Sequence, residues 1–214
     1  VARVTALQKP DMSYSLPLFP LSSVLFPGGL LALRVFEARY LDLMTACIKT
    51  ESPFGVVCIK KGSEVRHDAS QTEVEHIGCH AALIEWDMPQ AGLMVVRCKG
   101  LERFEILDTR STANGLMVGN VNAMESDAPA QVPAQLQFAQ AALKQAISSI
   151  EARVDGAPPF VKPYDFVSAG WVANRWCELL PIPVHLKQQL MALPDPLARL
   201  ELVAGFLKKR GIAA

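Results

Sequence analysis

His67, His76 and His80, with Asp68, Glu73, Glu75 and Cys79, gather imidazole, carboxylate and thiol groups in one short stretch, the donor types that hold zinc. Their spacing fits no standard site, and along a strand His76, Cys79 and His80 converge only if the chain bends. The stretch therefore reads as a polar loop entering a strand, and no metal is expected. Cys47 offers a thiol nucleophile, but it falls on the apolar stripe of a helix, where a thiol stays inert. Glu37 with Arg39 and Arg103 suggests acid–base chemistry; the simpler reading is a set of charges that fixes the first helix against a sheet, with arginine supplying forked donors. No GxxxxGK[ST] phosphate loop exists, since Pro27-Gly28-Gly29 lacks the lysine and the following hydroxyl residue. No catalytic residue and no cofactor is expected.

A different chemistry is suggested by apolar side chains at turns and ends, where a core does not demand them. Phe26 lies beside the Pro27-Gly28 turn, Trp86 and Met88 lie near a second turn, and Trp171 lies off the main stripe of a helix. Methionine adapts to varied partners and aromatics bury much area, so these four are the candidate contacts for exposed apolar polypeptide. Trp176, on the stripe of the same helix, reads as plain core.

The elements that must position them are legible from period and punctuation. Residues 16–21, LPLFPL, read as an extended segment suited to a sheet edge or the first strand of a barrel, because each proline removes a backbone donor. Phe26-Pro27-Gly28-Gly29 is a turn. Residues 30–36 alternate as a strand, with Leu31, Leu33 and Val35 on one face, and a helix follows with Tyr40, Leu41, Met44, Cys47 and Ile48 on one stripe. Residues 54–59 are a buried strand, 60–77 a long surface loop, and 78–86 and 93–99 strands about a turn at 88–92. Gly100 reads as a bulge or bend, and two more strands follow, 102–107 and 116–124. So many short strands argue for a small closed β-structure.

After Glu125 the pattern changes. Residues 126–133, SDAPAQVP, have a linker composition. Helical spacing then marks four helices, about Leu143, Ala173, Leu190 and Leu200; Asp195-Pro196 is a strong start for the last, with aspartate capping and proline at the first position. Strands followed by helices give an α+β chain, with a β part over 13–126 and a helical part over 127–214. Residues 1–11 read as a frayed lead-in that need not belong to the native chain, with Met12 an alternative start.

The same residues carry a resemblance. LPLFPL, then LFPGGLLALRVFEARYLDLM, is similar to the signature of the amino-terminal, substrate-binding domain of Lon-type ATP-dependent proteases; Ala38 stands where that family usually has proline, so the helix is expected to begin slightly earlier. HIGCHAALIEWD resembles the family's glycine-led strand, with Cys79 in place of threonine, and VVRCKGLERFEIL and LLPIPVHLKQQLMALPDPLARLELVAGFLKK extend the resemblance to about Lys209. What it implies is a PUA-like β-barrel with a helix, followed by an α-helical bundle, whose role is recognising unfolded or tagged polypeptides. The family's ATPase signature is missing and little chain is left for a protease domain, so the chain reads as a stand-alone, non-catalytic recognition module with a protease or chaperone as a further partner.

Composition narrows the alternatives. Lys plus Arg and Asp plus Glu each number 21, and neither part carries an excess of bases: 12 against 14 acids over 1–126, 9 against 7 over 127–214. A PUA-like module could serve RNA, but phosphate contacts call for a basic stripe, so nucleic acid is disfavoured. Five cysteines without a CxxC pair read as reduced core thiols, hence a cytoplasmic protein. No apolar run reaches membrane-spanning length.

Overall fold

Prolines 17 and 20 do not keep residues 14–21 out of a sheet; they decide which neighbour each half of the strand can have. In the computed structural model, which describes residues 13–62, 72–154 and 159–212, β1 (Tyr14–Leu21) pairs antiparallel with β7 (Met117–Ala123) over Tyr14 to Leu18 and parallel with β3 (Phe54–Lys61) over Leu18 to Leu21. Pro17 lies in the half paired only with β7 and Pro20 in the half paired only with β3. Each missing N–H thus falls where the strand has one partner.

Glycine makes the first turn. The Gly29 N–H donates to the Phe26 carbonyl at 2.9 Å, and Gly28 adopts φ +73° after Pro27, the requirement of a type II turn. β2 (Leu30–Val35) follows, and α1 (Ala38–Thr50) begins at Ala38 itself, with Glu37 as its cap residue. Tyr40, Leu43, Met44 and Cys47 of α1 are buried on a sheet face that includes Phe19, Phe54 and Val96; Leu41 and Ile48 are at the margin of that stripe, only partly buried.

The remaining strands are β4 (Glu73–Val74), β5 (Ile77–Gln90) and β6 (Leu93–Ser111). Pairing runs β1-β7-β6-β5-β3-β4, with β2 on β6, and the β1–β3 pair brings the path from β3 back to β1. Two expectations are corrected. The turn expected at 88–92 is only Ala91-Gly92: Met88, Pro89 and Gln90 remain in β5, and Pro89 is tolerated because the β5–β6 register skips from Asp87 to Gln90. Gly100 does not split the chain into two strands, since β6 runs through it, but the bulge expected there is present: the β5–β6 register passes from Cys79–Arg103 to Ala81–Gly100, one residue longer on β6. Residue 100 is glycine because a Cβ there would overlap the Phe26 carbonyl, and the two backbones bond directly, Gly28 N–H to Gly100 O and Gly100 N–H to Gly29 O, both at 2.9 Å.

The helical part comprises a 3-10 turn (Ala134–Leu136), α2 (Gln137–Glu151), α3 (Ala169–Leu179), α4 (Val184–Ala192) and α5 (Pro196–Lys209). Asp195 caps α5 as expected, its Oδ1 accepting from the N–H groups of Leu197 and Ala198 at 2.9 and 3.3 Å. α3 packs against α2, α4 and α5 around a core that takes in Leu143, Val172, Trp176 and Leu200 and also receives Phe26 from the sheet side. Trp176 is core, its indole N–H donating to the Ala139 carbonyl at 2.9 Å. Residues 126–133, of linker composition, are fixed in place: the Ala169 N–H donates to Ala130 O at 2.8 Å and the Val132 N–H to Val167 O at 3.0 Å. Residues 1–11, the histidine at 67 and the aspartate at 68 lie outside the described residues.

Candidate functional site

Three arginines are buried where the sheet meets the helices. Arg103 of β6 sends Nη2 to Asp127 Oδ1 at 2.7 Å and Nη1 to the carbonyls of Met191 and Leu193 at 3.1 and 3.0 Å. Arg199 of α5 grips the same carboxylate at 2.7 and 3.0 Å, meets Asn174 Oδ1 at 2.8 Å, and reaches the carbonyls of Leu190 and Leu193. The carbonyls that end α4 lack a full set of intrahelical donors, Leu190 O receiving only the Leu193 N–H at 3.3 Å; two guanidinium groups complete them and oppose the negative end of the helix dipole. Burial pulls the Arg103 guanidinium down from its usual range, and the Asp127 carboxylate opposes that pull.

The third, Arg175 of α3, forks onto Glu178 at 2.7 and 2.8 Å and donates to the Pro27 carbonyl at 3.1 Å, which also receives Asn174 Nδ2 at 3.4 Å. Burial pushes the Glu178 carboxyl up, with Arg175 drawing it back. The Pro27-Gly28-Gly29 turn is seated on this pair: a Cβ on Gly29 would overlap the Glu178 carboxylate. Its glycines serve docking as well as turning.

This seating explains a correction. Phe26 is 0% exposed and packs in the helical core, so it presents nothing to a ligand; the turn carries its ring inward when it docks on α3. Arg103 departs from the sequence reading too, since it ties the sheet to α4 and α5 rather than to the first helix. Only Glu37 and Arg39 act there, paired at 2.6 Å, with Arg39 also donating to the Gly115 carbonyl at 3.1 Å.

The other chemical candidates are absorbed by structure. His80 stands between the Tyr14 hydroxyl at 2.7 Å and the Glu102 carbonyl at 2.9 Å. Cys79, its strand neighbour, is buried with its thiol pointed at the Leu101 carbonyl, and burial raises its pKa strongly. Cys98 and Cys177 are pushed up to about 12 by burial, and all five thiols are free and buried.

Trp171, Trp86 and Met88 are not brought together. Trp171 is half-buried, against Phe166 and Tyr164 with ring centroids at 5.1 and 5.9 Å and the Arg175 guanidinium 5.6 Å from its centroid. It lines a cleft of about 370 Å³ at the sheet–helix junction with Lys99, Glu102, Asp165 and Asn174, a cleft that neither Trp86 nor Met88 reaches. Trp86 is directly opposite Val96 in the β5–β6 ladder, so the two share a face of the sheet. Val96 is fully buried on the α1 side, whereas Trp86 is 55% exposed and Met88, two residues nearer the turn, is 50% exposed. On the β6 side this face stays covered as far as Met94, which is 4% exposed, whereas on the β5 side it ends in the exposed Trp86 and Met88.

A family model of the ATP-dependent protease La (LON) substrate-binding domain matches residues 15–209. The chain belongs to the LON substrate-binding domain family. Among solved structures, a Lon N-terminal domain protein from Xanthomonas campestris is similar with a TM-score of 0.70 and 32% identity, covering 90% of this chain and 98% of that one. The N-terminal domain of the Lon protease of Mycobacterium avium complex is similar in fold, with a TM-score of 0.63 and 14% identity over 91% of this chain and 98% of that one. Curated relatives include Lon protease of Anaeromyxobacter dehalogenans and Lon protease 2 of Myxococcus xanthus, each 24% identical over 95% of this chain; the chain spans 24% of the length of each. Within this LON domain, the stretch that carried the resemblance, FPGG, is the turn that locks sheet to helices. Sequence reading missed its partners Arg175 and Glu178, and also Asp127 and Arg199. The available signal was a charge on an apolar stripe: Arg199 is at helical spacing with the buried Val203 and Leu207.

Proposed function

We propose that this LON domain is a non-catalytic polypeptide-recognition module whose contact surface is the exposed apolar end of the β5–β6 hairpin, centred on Trp86 and Met88. The observation that carries the reading is the exposure of both side chains on a hairpin whose opposite partner Val96 is buried. Large aromatic surface left exposed by its own fold, as Trp86 is among the described residues, suits an interaction site. Membership of a substrate-binding family supports polypeptide as the ligand class, and a net charge of zero supports apolar rather than phosphate recognition. Trp171 in the junction cleft is a second contact point for the same ligand, constrained by its packing on Arg175. The module then presents bound segments to a Lon-type protease or a chaperone. Among the described residues no helix is long and apolar enough to cross a membrane.

The test is fluorescence anisotropy with one labelled protein in two states, a reduced and carboxymethylated α-lactalbumin and its native form. The unfolded form is expected to bind in the micromolar range, since the segment must become ordered, and the native form at least tenfold more weakly. Equal affinity for both, or none for either, removes the proposal.

A further inference from the structure

The outer face of α5 carries a shallow apolar groove of about 510 Å³, lined by Leu193, Ala198, Leu202, Gly205 and Phe206 and flanked by Glu201 and Lys209. It is on the side away from Leu200, Val203, Ala204 and Leu207, which fill the helical core, and Leu202 is 53% exposed. Gly205 is the feature that the fold itself does not explain. Glycine weakens a helix interior, yet a Cβ at 205 would meet nothing within 4 Å among the described residues. A missing side chain on an exposed apolar helix face admits the close approach of another backbone.

The charges around it say whose backbone. Glu201 is four residues before Gly205 and Lys209 four residues after it, and among the described residues neither makes an ion pair. If two α5 helices cross antiparallel about a two-fold axis at Gly205, position 205 − n of one copy meets 205 + n of the other. Glu201 of each copy then faces Lys209 of the second, and Leu202 of each is set against the Lys208 stem of the second, beside the axis. A two-fold interface must be complementary to itself, and this pattern is. We propose that the outer face of α5 is a self-association surface, on which two copies of this chain pair antiparallel through Leu202, Gly205 and Phe206 with reciprocal Glu201–Lys209 contacts.

One helix pair covers less than the roughly 800 Å² per partner of a standard stable interface, so the dimer is weak, with a dissociation constant on the order of 100 µM. Sedimentation equilibrium of the whole chain from 10 µM to about 1 mM measures it. Glu201→Lys alone and Lys209→Glu alone place like charges across the axis twice, and each is expected to weaken the dimer about tenfold. The double variant E201K/K209E restores opposite charges and is expected to return to within about twofold of the parent. Both substitutions are at exposed positions, and far-UV circular dichroism checks that each of the three variants is folded. A chain monomeric at about 1 mM overturns the proposal, as does a dimer indifferent to the single changes. A double variant no better than the singles overturns it as well, because only a self-complementary interface is rescued by exchanging the two charges.

Discussion

At the sheet–helix junction three arginines are buried and a glutamate is mostly covered, while at the tip of the β5–β6 hairpin a tryptophan and a methionine are half or more exposed. Both regions break the ordinary rule of charge outside and apolar inside. They differ in whether the chain resolves the breach. Arg103, Arg175 and Arg199 find carboxylates or carbonyls within their own chain, and those carbonyls belong to the C-terminal end of α4 and the docked turn at Pro27. Among the described residues Trp86 and Met88 find nothing comparable. A breach resolved internally is architecture; the one left open is where we propose that a ligand does the resolving.

The comparison breaks most visibly at Asp127. Asp127→Ala leaves two buried guanidinium groups without their shared carboxylate, and is expected to lower stability by about 3 kcal/mol in urea unfolding. A loss below about 1 kcal/mol would mean that the junction is more open to water than its geometry shows. Next is Gly100→Ala, which forces a methyl group onto the Phe26 carbonyl; overpacking against backbone is expected to cost about 2 kcal/mol by the same measurement.

Alkaline pH sharpens the contrast from the core side. Cys98 and Cys177 have thiol pKa values pushed up to about 12 from 9.0 by burial. Between pH 9 and 12 the unfolded chain therefore releases protons that the folded chain keeps, so stability falls as pH rises. Each thiol is expected to contribute on the order of 1 kcal/mol per pH unit. Denaturation series at pH 8, 9 and 10 read the slope, and a flat profile contradicts the burial of these thiols. The smallest effect belongs to the hairpin. Trp86→Ser and Met88→Ser are each expected to change stability by less than about 0.5 kcal/mol while weakening polypeptide binding. A large stability loss would make these residues core and end the comparison.

How much of this was legible follows from the range of the interactions. The strand at 54–59, the turn at Pro27-Gly28 and the cap at Asp195 are local, and their residue types specify them. The junction is not local. Arg103 and Asp127 are 24 residues apart, and Asp127 and Arg199 are 72 apart. Asp127 is also set in a composition that reads as linker. Phe26 was misread for the same reason: a residue beside a turn is expected at the surface, unless that turn is itself docked on a distant helix, as Arg175 makes it. Trp86 was read as a contact residue from its type and place near a turn, and it is exposed; Met88 is exposed as well, though in a strand rather than a turn.

The three tryptophans of the chain occupy three environments and report separately: Trp86 on the bare hairpin, Trp171 in the junction cleft, Trp176 in the helical core with its indole N–H bonded to Ala139. Two-dimensional ¹H–¹⁵N NMR during titration with the reduced, carboxymethylated protein follows all three indole signals at once. The account predicts that the Trp86 signal moves first and farthest, that Trp171 moves less, and that Trp176 stays in place. Movement of Trp171 with Trp86 unchanged, or equal movement of all three, would contradict the assignment of the hairpin as the recognition surface.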